Sequence, residues 1–188
     1  MKTKTLTVIA LLSVFCITSV VAQTKERGLF VEMNAGFGNV ERRRSDYGLF
    51  VPRIGYQLGE KWAVGVKARF ETNGSKGYTA AGAYVQYAFW KKGKLKLFTE
   101  GELSYNVKRD GYDYVVLEHP NPRENYVEAG FTFGGSYALC RNLNVMARYL
   151  YIGYNDYPGV REGAYIGNGR GIVDANWHRL QVGLQYIF

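Results

Sequence analysis

Nucleophilic catalysis needs an activated side chain and a base within hydrogen-bond reach, most often serine beside histidine. The sequence holds two histidines, His119 and His178, and neither has a serine at a recognisable spacing. His119 lies in Glu118-His119-Pro120-Asn121, a loop-like stretch. Metal chemistry fares no better. Beyond residue 22 one cysteine remains, Cys140, with no CxxC or Cys/His spacing. Asp110-Gly111-Tyr112-Asp113 is too sparse for calcium. Gly167-Asn168-Gly169-Arg170-Gly171 lacks the Lys-Ser/Thr and the helix that a phosphate loop requires. The reading is a non-enzymatic protein without catalytic, cofactor or metal residues.

What remains is a set of charges with a period of two. Glu32, Arg53, Lys67, Arg69, Glu71, Glu100, Glu102, Glu128, Arg148 and Arg179 fall on the polar faces of predicted strands. Residues two apart in an extended chain point the same way, so such charges can meet only if a sheet brings their faces together. That sheet is predicted from alternation over eight segments: 28–38, 49–58, 62–71, 78–90, 95–108, 125–139, 143–154 and 175–188. In the third, Trp62, Val64, Val66, Ala68 and Phe70 oppose Ala63, Gly65, Lys67, Arg69 and Glu71. In the sixth, Val127, Ala129, Phe131 and Phe133 oppose Glu128, Gly130, Thr132 and Gly134.

A soluble barrel turns its apolar face inward, and a membrane barrel turns it toward lipid. Full charges on the polar face favour the second arrangement. So do segment lengths suited to a tilted membrane strand. Aromatics at the apolar-face ends point the same way: Trp62, Phe70, Tyr87, Phe89, Tyr105, Tyr137, Tyr149, Tyr151 and Phe188. The connections alternate in length. Those after strands two, four and six are short, whereas the others span 39–48, 72–77, 109–124 and 155–174. The expectation is an all-β, eight-stranded antiparallel up-and-down transmembrane β-barrel with both termini on the short-turn side, the periplasm.

The N-terminus fits export. Lys2 and Lys4 precede an apolar run from Leu6 to Val21 that ends on Val20-Val21-Ala22. This is the pattern of a cleaved signal, and the run is short for a spanning helix. Residues 1–22 are expected to be removed, leaving 23–188 as one domain.

In this arrangement the chain resembles the outer-membrane β-barrel domain family of Gram-negative bacteria, the small barrels typified by OmpX and the OmpA membrane domain. The most specific element is the C-terminal run Leu180-Gln181-Val182-Gly183-Leu184-Gln185-Tyr186-Ile187-Phe188. The resemblance implies an outer-membrane location. It also implies that the terminal aromatic strand, with Tyr186 and Phe188, is a signal to the barrel-assembly machinery. It implies no single activity.

Without Lys2 and Lys4 the chain has 22 Lys and Arg against 16 Asp and Glu, net +6. The ten lumen charges named above balance, five against five, and read as an internal ion-pair network plugging a narrow barrel. The excess falls on the periplasmic rim: Lys25, Arg27, Lys61, Lys91, Lys92, Lys94, Lys96 and Arg141 against Glu26 and Glu60. Outer-membrane lipid and lipopolysaccharide are the expected surroundings, and the basic rim suits anionic headgroups. Nucleic acid is excluded by the lack of any recognition element. The long loops offer Tyr112, Tyr114, Tyr157 and Tyr165 for a surface protein or glycan. The resulting function is structural or surface-interacting. The alternative is a narrow, porin-like channel or small-solute transporter.

Overall fold

The computed structural model describes residues 25–40, 45–73, 76–109, 125–155, 165–166, 171–175 and 180–188. Among them are ten strands: β1 (Gly28–Val40), β2 (Ser45–Gln57), β3 (Trp62–Asn73), β4 (Lys76–Lys92), β5 (Leu95–Arg109), β6 (Tyr126–Ala138), β7 (Leu143–Asn155), β8 (Tyr165–Ile166), β9 (Gly171–Asp174) and β10 (Gln181–Ile187). Each of β1 to β6 pairs antiparallel with the next, and β7 pairs with β9. β10 then pairs with both β7 and β1, which closes an eight-stranded up-and-down barrel. The all-β expectation is borne out.

Closure runs from Phe30↔Ile187 to Ala35↔Val182. The Phe188 N–H extends it by donating to the Leu29 carbonyl at 2.8 Å. The chains approach so closely there that a Cβ on Gly28 would lie 2.5 Å from the Phe188 carbonyl oxygen. Closure matters because an open edge would leave backbone donors and acceptors unsatisfied in lipid. At the β4–β5 hairpin, Gly93 takes the left-handed region, φ 59°, which side chains with a Cβ rarely adopt.

Alternation holds along most strands, and it is inverted relative to a soluble protein. Glu32, Asn34, Arg53, Gln86, Glu100, Ser104, Asn106, Glu128 and Arg148 are buried in the lumen. Met33, Val66, Leu103 and Phe131 point outward, each more than half exposed, along with many other large apolar side chains. Water-soluble monomers rarely show a continuous apolar surface of this extent.

Two irregularities change the faces. At the β6–β7 ladder, Phe133 pairs with Leu150 and Gly134 with Arg148, so Tyr149 is an extra residue on β7. One inserted residue reverses the side of everything beyond it. Tyr149 therefore stays outside while Tyr151 turns into the lumen, only 2 % exposed. This corrects the expectation that both tyrosines belong to the outer aromatic set. A second irregularity, between Ala88 and Trp90, puts Phe89 and Trp90 both on the outer surface.

The predicted eighth strand, 175–188, also needs correction. β9 precedes it on the same wall, with Tyr151↔Asp174 pairing above Arg148↔Gln181. Three steps along β7 thus correspond to seven along the eighth wall. β9 buries Ile172 and Asp174 and pairs on its other side with β8. Segment 155–174 is therefore partly barrel wall rather than all loop. The strands also run further than predicted at 39–48 and 72–77, where β1 to β4 leave only residues 41–44 and 74–75 between them. The longer connections are those after β5 and β7.

Candidate functional site

The lumen is built in layers. At the turn end, Phe30, Ala63, Tyr84 and Ile187 form one apolar cluster, and Ala88, Phe98 and Met146 form another. Phe30, Phe98 and Ile187 lie one inward step nearer the turns than Glu32, Glu100 and Gln185. These apolar side chains therefore floor the charges above them.

The next layer is a ring of four charges from four strands, all with side chains at most 1 % exposed. Arg148 donates from NH1 to Glu32 Oε1 at 2.6 Å and from NH2 to Glu32 Oε2 at 3.3 Å. Its Nε donates to Glu100 Oε2 at 3.1 Å. Arg53 NH1 donates to the other oxygen of Glu100 at 2.5 Å. The ring closes where Arg53 Nε lies 3.8 Å from Glu32 Oε1. Asn34 donates to Glu32 Oε1 at 2.7 Å and accepts from Arg148 at 3.2 Å, and Gln185 donates to Glu32 Oε2 at 3.4 Å. Planar guanidinium forks suit this geometry because each can serve two carboxylates at once. Aromatic faces complete the shell. The Arg53 guanidinium carbon lies 4.9 Å from the Tyr84 ring centroid, and that of Arg148 lies 5.2 Å from the Phe98 centroid.

A second layer lies toward the opposite rim. Lys67 pairs with Glu102. Arg69 donates to Glu71 at 2.5 Å and lies 3.8 Å from Glu128. Between the layers is a cavity of about 20 Å³ bounded by Arg53, Lys67, Arg69, Glu102 and Thr132, among others. That is room for a water molecule or so, not for a solute.

Nine of the ten sequence-predicted lumen charges thus meet inside the barrel, and Arg179 lies outside the described residues. Sequence reasoning missed Asp174, a buried acid on β9. With it, the described lumen holds six acids and four bases. The signal was the short alternation Gly171-Ile172-Val173-Asp174, hidden in a glycine-rich stretch read as loop. Tyr112, Tyr114 and Tyr157, with both histidines, lie outside the described residues. Tyr165 falls on β8. Phe188 is outward and packs edge-on against Tyr186, ring centroids 5.0 Å apart.

The turn-end rim holds the basic residues. Its two acids converge on one lysine. Lys91 Nζ lies 2.6 Å from Glu60 and 3.7 Å from Glu26. The hydrogen bond from Lys91, and then its charge, hold the Glu60 carboxyl below the usual carboxylate range.

A closed, inside-out barrel with a charge-filled lumen defines the class: a small eight-stranded barrel of the kind that the resemblance to OmpX-like outer-membrane barrels implied. No protein-family model matches the chain, and no curated protein matches it. Among solved structures it is similar to Neisserial surface protein A, with 22 % identity and a TM-score of 0.53 over 86 % of this chain and 97 % of that one. That likeness establishes the fold.

Proposed function

We propose that this chain is a non-enzymatic outer-membrane barrel that serves as a rigid, closed support for surface loops. On this reading residues 1–22 are a cleaved signal, the turn-end rim and both termini face the periplasm, and the connections after β5 and β7 face outward. The observation that carries the reading is the lumen. Arg53, Glu100, Arg148 and Glu32 bond to one another across the barrel, above an apolar floor. Such a filling favours a support over a conduit. The shared fold with a Neisserial surface protein supports the surface role.

A partner recognised by the loops would be a protein, a glycan or lipopolysaccharide, with Tyr112, Tyr114, Tyr157 and Tyr165 as contact candidates. Expression with epitope tags in 110–124 and 156–164 tests this arrangement. Tags accessible on intact cells, in protein recovered from outer-membrane fractions and shifted on a gel by boiling, would support it. Soluble periplasmic recovery of folded protein would contradict it.

A further inference from the structure

Basic residues concentrate at the turn-end rim. Eight basic residues, Lys25, Arg27, Lys61, Lys91, Lys92, Lys94, Lys96 and Arg141, stand against Glu26 and Glu60. Lys91 is the direct ion-pair partner of both acids, and the charges of Lys96 and Lys61 also act on Glu60. Among the described residues no acid pairs with Arg27, Lys61, Lys92, Lys94 or Arg141, all of them exposed. Unpaired cations of this density repel one another and are stabilised by an external anion.

Their height on the barrel says which anion. Each set lies beside outward aromatic or large apolar side chains. Trp62, next to Lys61 in the chain, packs against Tyr87 with ring centroids 4.6 Å apart and planes tilted by 42°. Phe89 and Trp90 precede Lys91 and Lys92, and Tyr137 and Leu139 precede Arg141. Outward aromatic rings mark the level of the membrane interface. The basic residues beyond them therefore stand at phosphate level rather than out in the aqueous phase. We infer that the turn-end rim is a binding surface for anionic glycerophospholipid headgroups, with Lys61, Lys92, Lys94 and Arg141 as the principal contacts. The inference rests on the membrane-spanning reading and adds a lipid selectivity that the fold alone does not demand.

The outward Trp62 and Trp90 report on it directly. The full barrel with Trp177→Phe, so that these two are the emitting indoles, is refolded into phosphatidylcholine vesicles. The vesicles contain a minor fraction of brominated phosphatidylglycerol or of brominated phosphatidylcholine. Enrichment of the anionic lipid by roughly five-fold at the rim is expected, the size that one lysine at an anionic surface gives. High salt and the variant Lys61→Gln/Lys92→Gln/Lys94→Gln/Arg141→Gln should abolish it. Lys61→Arg/Lys92→Arg/Lys94→Arg should keep it, which separates charge from fold. Equal quenching by both brominated lipids would overturn the inference and leave the membrane barrel standing. So would relief of the quenching by lipid A more effectively than by unlabelled phosphatidylglycerol. Absence of quenching by either lipid would overturn the membrane reading itself.

Discussion

Arg148→Met tests the lumen ring at its centre. The wild-type guanidinium serves Glu32 at 2.6 and 3.3 Å and Glu100 at 3.1 Å, with no exposure to water. Methionine fills part of the volume and packs on Phe98, but it leaves two buried carboxylates to share Arg53. Glu100 keeps its 2.5 Å bond to Arg53. Glu32 keeps the amides of Asn34 and Gln185 and the more distant Arg53 Nε. Removing one member of a buried ion pair costs about 3–5 kcal/mol, because the other charge stays desolvated. Arg148→Met should therefore lower stability by about that amount. Adding Glu32→Gln removes the stranded charge and leaves a neutral Arg53–Glu100 pair. The double variant should be about 2–3 kcal/mol better than the sum of the two single losses. Urea unfolding of refolded protein in vesicles at pH 7, followed by tryptophan emission, measures both quantities. A cost below about 1 kcal/mol for Arg148→Met, with additive singles, would mean that water solvates the lumen. The ring would then not be holding the barrel shut.

Deleting Phe188 removes an exposed ring and one 2.8 Å backbone bond at the seam, a net contribution of about 1 kcal/mol. Membrane yield in cells should fall far more than refolded stability does if the terminal aromatic is an assembly signal. Normal insertion would refute that role. Deleting 110–124 should leave a foldable barrel, whereas deleting 155–174 should not. The second deletion takes away β9 with buried Ile172 and Asp174, and heat-shifted migration on gels distinguishes the two outcomes. The Glu60–Lys91 pair favours the ionised carboxyl in the folded state. Its contribution is therefore present at neutral pH and lost as pH falls through the lowered value. Glu60→Gln should reduce the unfolding midpoint slightly at pH 7 and not at pH 3; an equal effect at both would contradict the pairing.

Much of the barrel wall was legible because lipid outside and charge inside impose a strict period of two. Trp62 to Phe70 and Val182 to Phe188 both face as read. The pattern stops informing where the apolar band stops. Thr72-Asn73 and Lys76-Gly77 look like turn residues, yet the ladder Thr72↔Gly77 and Asn73↔Lys76 continues. Beyond the band, backbone pairing no longer needs an apolar outer face. The bulge at Tyr149 was invisible for a different reason. It inserts an ordinary residue with no glycine or proline to mark it, and the reversal at Tyr151 follows from the ladder alone. Which acid meets which base was equally unreadable. Arg148 and Glu32 are 116 residues apart, and only the stagger of the closed barrel sets them at one height.

The barrel is filled by its own charges, and current measurement across a planar bilayer is the sharpest check of that filling. Refolded protein should insert without any steady conducting state, because the ring of Arg53, Glu100, Arg148 and Glu32 and the apolar floor beneath it occupy the lumen. A well-defined, long-lived open level of porin size in the unmodified protein would mean that the lumen is open.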